Sequence, residues 1–309
     1  MRWLIILLLF ASVASAETGL IWPNNDVAQA YPAGKMAAFR WALPSDNGLP
    51  MWGTGAGNSR TGVTYMWELT FDAGAADYAT TMFYSRCDGY FDSNPGIQDY
   101  MGFHPYPDPP PSSSNHKWEI STEYSDFFAT NQPNAKKVVV DGQKFVQGVI
   151  VDVNDGDGTK TAVFYLDLPS TAPDDIISHT FPSGYGDTPG TSHCLQFGDA
   201  PWAEIGVAAN ESTQGIFRGL KIIAKTLTEA DLITEAASLN TNTMQTTDGI
   251  NNVWYSNVDP TPTDISDKSA AGHDPAWFDV AYKPTLYDTG TPAAVPTFLG
   301  TLITGGSIQ

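Results

Sequence analysis

The chain has 309 residues, 42% of them hydrophobic and 12% aromatic, with Lys+Arg 15 against Asp+Glu 34 and a formal net charge of −19. Such a chain can bury a substantial core and does not have the profile of a disordered acidic protein, and its shortage of cations argues against a nucleic acid backbone or an anionic bilayer as partner. Gly 28 and Pro 22, set among short apolar runs, point to an all-β protein with many turns.

At the N-terminus, Arg2 precedes the apolar run Trp3 to Phe10, and small residues follow as far as Ala14-Ser15-Ala16. A positive start, a short hydrophobic centre and an A-x-A exit describe a secretory signal peptide over residues 1–16, cut before Glu17. The chain is therefore expected to be secreted or held at a cell surface. Its apolar run falls short of the about 20 residues that a bilayer-spanning helix requires. Residues 17–60 read as an extended N-terminal segment. Within them, Gly53-Thr54-Gly55-Ala56-Gly57 has no strand in front of it, so it reads as a turn rather than a dinucleotide loop.

The strongest period-2 pattern comes next, with Val63, Tyr65, Trp67, Leu69 and Phe71 alternating with Gly62, Thr64, Met66, Glu68 and Thr70. A strand with one uniformly apolar face should lie on the core. Further strands are expected at 79–87, 100–106, 117–128, 137–140, 145–153, 161–168, 193–198 and 215–225. Turn chemistry separates them at Asp141-Gly142, at Asn154-Asp155-Gly156-Asp157-Gly158 and at Ser183-Gly184-Tyr185-Gly186. With almost no helix between the strands, two packed antiparallel sheets are expected rather than a parallel α/β core.

One helix stands out at 228–239. Thr228 is its N-cap and Asp231 completes an [ST]-x-x-[DE] box, after which Leu232, Ile233, Ala236 and Ala237 form an apolar stripe. The strand before it carries Leu220, Ile222 and Ala224 on one side.

These last elements carry a family resemblance. The run from Gly215 through Leu220, Ile222 and Thr228 to Ile233 resembles the closing strand and helix of laminin-G-like domains, within the concanavalin A-like lectin/glucanase superfamily. Phe164-Tyr165-Leu166-Asp167 is similar to that family's Y-x-D-G strand, with Leu168 in place of the glycine. His193 to Gly198 is similar to the short strand that follows, and Lys117 to Ile120 with the strand from Gly62 completes the likeness over roughly residues 35–240. The resemblance implies a two-sheet antiparallel jelly roll over 61–240 with one short helix, and says little about activity. The D-x-S-G-x-G-like opening loop is missing near the N-terminus, and something similar, Asp267-Lys268-Ser269-Ala270-Ala271-Gly272, stands near the C-terminus instead. Residues 241–309 are accordingly expected to be an extension that packs on the sandwich or between sandwiches.

Three constellations carry possible chemistry. Glu119-Ile120-Ser121-Thr122-Glu123 resembles the E-x-D-x-E strand of the superfamily's retaining glucanases, in which the first Glu is the nucleophile and the last the acid/base. Retaining chemistry wants carboxyls about 5–5.5 Å apart, whereas strand positions i and i+4 start about 13 Å apart. Ser121, at the place of the aspartate, is neutral and cannot tune Glu119 in the same way, so two polar-face glutamates are the plainer reading. The turn with Asp152, Asn154, Asp155 and Asp157 offers oxygen ligands suited to Ca2+. It misses the EF-hand template at Gly156, and an ordinary hairpin explains the same residues. Tyr90, Tyr100, Tyr106 and Trp118, in a stretch stiffened by Pro109-Pro110-Pro111, offer ring faces that stack on sugars, or else core packing.

Cys87 and Cys194 suit an exported chain that closes one disulfide, although sequence leaves their pairing open. Scattered histidines, with no G-x-S-x-G and no P-loop, argue against nucleotide partners and hydrolase triads. The function expected is therefore a secreted, non-catalytic domain that binds a glycan or another extracellular ligand. Two alternatives stand beside it. One is a structural subunit forming homo-oligomers through its terminal extensions, and the other is a polysaccharide hydrolase using Glu119 and Glu123.

Overall fold

The computed structural model describes residues 18–21, 38–42, 62–71, 82–86, 101–107, 116–122, 138–139, 142–152, 160–181, 193–198, 215–239, 245, 253–255, 265–269, 272, 274–277 and 285–288. Fifteen strands and one α-helix lie among them. In chain order the strands are β1 (Thr18–Ile21), β2 (Ala38–Ala42), β3 (Gly62–Phe71), β4 (Met82–Arg86) and β5 (Met101–Pro107). Next come β6 (His116–Thr122), β7 (Val138–Val139), β8 (Lys144–Asp152), β9 (Lys160–Tyr165) and β10 (Ile176–Phe181). The last are β11 (His193–Gly198), β12 (Gly215–Ile223), β13 (Val253–Tyr255), β14 (Ala276–Trp277) and β15 (Thr285–Asp288), with the helix α1 (Glu229–Ala237) between β12 and β13.

The strands form two sheets. An eight-stranded sheet runs β10-β9-β8-β3-β12-β1-β15, with β13 beside β12, and a seven-stranded sheet runs β14-β2-β11-β4-β5-β6-β7. The recorded strand pairings are all antiparallel. This is the expected two-sheet jelly-roll sandwich with one short helix.

Alternation along β3 decides which layer it faces. Val63, Tyr65, Trp67 and Leu69 are buried against the other sheet, beside Phe145, Val149 and Val151 of β8 and Phe217, Leu220 and Ile222 of β12. From the seven-stranded sheet, Phe39, Trp41, Leu195 and Phe197 meet them. Phe197 lies 5.8 Å from both Trp67 and Phe217, and Phe39 lies 5.7 Å from Phe217, all edge-on or tilted. Tilted aromatic rings at this spacing add attraction beyond their area of burial, so these contacts hold the two layers together. Within this dry layer the Trp67 Nε1 donates to Gln147 Oε1 at 2.9 Å, meeting the need of a buried indole N–H.

The other face of β3 is buried as well, which the alternation does not announce. Met66, Ile150, Tyr165, Leu168, Ile223 and Leu227 pack there under Leu232 and Leu239 from the helix and its C-terminal turn. Gly148 permits this close approach, because a Cβ on it would stand 3.2 Å from Leu168 and 3.3 Å from Leu232.

Helix α1 begins where its sequence says it should. Thr228 Oγ1 accepts from the Asp231 amide at 3.2 Å and donates to the Asp231 carboxylate at 2.8 Å. Its buried positions differ from the expected stripe, however. Leu232 is buried, Ile233 and Ala236 are half-buried and Ala237 is exposed, whereas Glu235 is buried. Beneath Glu235 lies Lys221 of β12, which donates from Nζ to Glu235 Oε2 at 2.8 Å, to Ser238 Oγ at 2.7 Å and to the Glu235 carbonyl at 3.1 Å. All three ammonium donors are thus used, as a buried cation demands.

Strands at both ends of the chain are built into this sandwich. Thr18–Ile21 pairs with Thr285–Asp288, and Thr18 stands opposite Asp288. Likewise β13 pairs with β12, while β14 pairs with β2. The described strands within 17–60 and 241–309 therefore find partners inside their own chain.

Candidate functional site

The helix packs on the outer face of the eight-stranded sheet, whereas the seven-stranded sheet is described by its strands alone. Its two rows can be told apart by register. Phe39, Trp41, Leu195 and Phe197 mark the row turned toward the core. Across the ladder, backbone register sets positions 82, 84, 101, 103 and 120 in line with them, and position 118 opposite 105.

The alternate row is different in kind. Arg40 pairs with Gln196, Gln196 with Phe83, Phe83 with Gly102 and Gly102 with Ser121, one line across five strands. One step along the strands His104 stands opposite Glu119, and one step further Tyr106 stands opposite Lys117. Directly opposed residues in an antiparallel pair have Cβ atoms about 4.5–5.5 Å apart. By backbone register this row comprises positions 40, 196, 83, 102 and 121, with 104 and 119, then 106 and 117, following along the strands. Its sequence mixes hydrogen-bonding residue types with an aromatic one.

The register treats the candidate residues unequally. Tyr106 stands opposite Lys117 and Glu119 opposite His104, at the strand positions shared with Ser121. Trp118 stands opposite Pro105, at the strand positions alternate to Glu119. Tyr90 and Tyr100 lie outside the described residues, as does Glu123, since β6 ends at Thr122. Asp152 ends β8, opposite Gly62 and Thr161, whereas Asn154, Asp155 and Asp157 lie outside the described residues. Cys194 stands opposite Ala42 and Ser85, and Cys87 lies outside the described residues. Among the described residues no group of three or more His, Cys, Asp or Glu side chains is placed to hold a metal ion.

Arg40 and Gln196 stand in this row without being singled out from the sequence. No local pattern links residues 40, 102, 121 and 196; cross-strand pairing alone brings them into one line. Polar residues in strand-like stretches were the available signal, and the register was needed to tell which of them share a face.

Electrostatics elsewhere serve the fold. Burial pushes the Lys221 ammonium below its usual value, against the pull of the Glu235 hydrogen bond and charge. Burial also raises the Tyr165 phenol, helped by the Glu229 carboxylate to which it donates at 3.3 Å. At the sheet edge, burial lowers the His179 imidazole. On the outer face of the eight-stranded sheet, Glu68 is shared by Arg218 at 3.7 Å and Lys144 at 3.5 Å. Arg218 reaches it from a β-bulge in β12, where Gly219 adopts φ 136°. That left-handed backbone favours glycine.

No family model matches the chain, and no curated protein matches it significantly. Among solved structures it is similar to a heptameric SAP-like pentraxin from Limulus polyphemus, at 12% identity and a TM-score of 0.38, over 72% of this chain and 82% of that one. A sialidase CBM40 from Ruminococcus gnavus is similar at 9% identity and a TM-score of 0.30, over 67% of this chain and 95% of that one. Peanut lectin is similar at 15% identity and a TM-score of 0.29, over 59% of this chain and 87% of that one. These neighbours are sandwiches of the concanavalin-like kind. At such identities and scores they say nothing about what this chain binds.

Proposed function

We propose that this chain is an exported, laminin-G-like domain that binds glycans without cleaving them, on the outward row of its seven-stranded sheet. The observation that supports this reading is the strand register, which sets positions 104, 106, 117, 119 and 121 in one alternate row in line with Arg40, which is half-buried. A sugar is studded with hydroxyls that both donate and accept, and its C–H faces stack on aromatic rings. A rigid ladder holds such groups in place before binding, which limits the ordering cost. Export follows from the leader-like residues 1–16, and mass spectrometry of secreted material should find Glu17 at its start.

The non-catalytic part of the reading rests on Ser121. It shares the strand face of Glu119, where a retaining site would place a third carboxylate. The test is a glycan array with the full chain, with and without calcium, followed by titration calorimetry on Tyr106→Ala and Glu119→Gln. Expected are binding to a defined set of sugars and at least a tenfold loss in each variant. No binding on the array, or release of reducing ends that Glu119→Gln abolishes, would overturn it.

A further inference from the structure

We infer that two copies of this chain join edge to edge along β10, about a two-fold axis at Ser178, merging their eight-stranded sheets into one continuous sheet. The direction in which the backbone of β10 presents its polar groups carries the inference. The Leu166 amide donates to the Asp175 carbonyl at 2.9 Å, which makes 166 and 175 a hydrogen-bonded pair of the β9–β10 ladder. Hydrogen-bonded and non-hydrogen-bonded pairs alternate in an antiparallel ladder. Residues 177, 179 and 181 thus spend their N–H and C=O on β9, while Ile176, Ser178 and Thr180 direct theirs away from it. Among the described residues, no strand pairs with that far edge.

The edge is self-complementary. A two-fold perpendicular to the sheet pairs residues of like parity, and an axis at Ser178 sets Ser178 opposite itself and Ile176 opposite Thr180. Those are the residues whose backbone groups face outward, so donors meet acceptors along the whole strand. Faces match as well, because Ile177 then stands opposite His179 on the row that borders the inter-sheet core. Ile177 and His179 are half-buried, and Ser178 and Thr180 are exposed.

Within the strand, charge sets no barrier to a second copy. Chains of net charge −19 repel one another, yet Ile176–Phe181 holds no Lys, Arg, Asp, Glu or Pro. Natural sheet edges usually carry such residues to block association. Asp175, just before the strand, is turned inward and accepts from Ser170 Oγ at 2.5 Å.

The experiment is sedimentation velocity on the full chain, with oxidative cross-linking of cysteine variants. The 33.3 kDa chain should sediment at twice that mass, and Ser178→Lys, which sets like charges face to face, should sediment as a monomer with its fold intact by circular dichroism. Ser178→Cys should cross-link to a dimer on oxidation at least tenfold faster than Thr180→Cys, which the axis sets opposite Ile176, and faster than the parent chain. A monomeric parent, a dimer indifferent to Ser178→Lys, or equal cross-linking at 178 and 180 would overturn it.

Discussion

On the outer face of the eight-stranded sheet, Lys221 gives its three donors to Glu235 and Ser238, and the hydrophobic side chains around them lie under α1. On the outer row of the seven-stranded sheet, Arg40, His104, Glu119, Tyr106 and Lys117 line up by register. The first face shows what polar groups in a strand become when another element of the chain covers them. They turn inward on each other, and their chemistry is consumed by the fold. On the second row Gln196 is buried too, so a polar strand residue need not face solvent there either.

Perturbing the first face should cost the most. Lys221→Met alone strands a buried carboxylate and should destabilise the chain by about 3–5 kcal/mol in urea unfolding, whereas Lys221→Met with Glu235→Leu should recover most of that loss. A single substitution as mild as the double one would mean that the pair is not held dry. Next in size, Gly148→Val drives methyls into Leu168 and Leu232 and should cost about 1–3 kcal/mol. Thr228→Ala removes the N-cap and should cost about 1 kcal/mol, read from the shift of the unfolding midpoint.

A smaller effect belongs to His179. Its folded-state value lies below the ordinary imidazole value of 6.5, so the unfolded chain binds the proton more readily. Stability from this group is present above 6.5 and declines as pH falls below it, and His179→Gln should flatten that part of a stability–pH curve. Smallest of all, if positions 106 and 119 bind ligand as proposed, Tyr106→Ala and Glu119→Gln should move stability by less than about 0.5 kcal/mol. A large loss of stability there would erase the contrast between the two faces.

Local patterns made several elements legible before any tertiary contact was known. Alternation from Val63 to Phe71 is complete within one strand, and the Thr228–Asp231 box is complete within one helical turn. β10 escaped the reading because Ile176 and Ile177 break the alternation and the strand follows a proline-led 3₁₀ turn, Pro173–Asp175. β1 and β15 escaped it because each is four residues long and gains its definition from the other across the length of the chain. Glu235 escaped it because a helical wheel assigns a glutamate to solvent, and nothing near residue 235 announces a lysine beneath it.

By itself, the sequence determined the layers: short alternating strands with turn residues between them bury one face each, and two such sheets must close on one another because there are too few helices to cover them. Tertiary structure alone decided which outer face was covered and which polar residues became neighbours. Those outcomes depend on cross-strand register and on where α1 lands. A shift of one residue in a ladder moves every side chain of that strand to the opposite face while leaving its composition and periodicity unchanged.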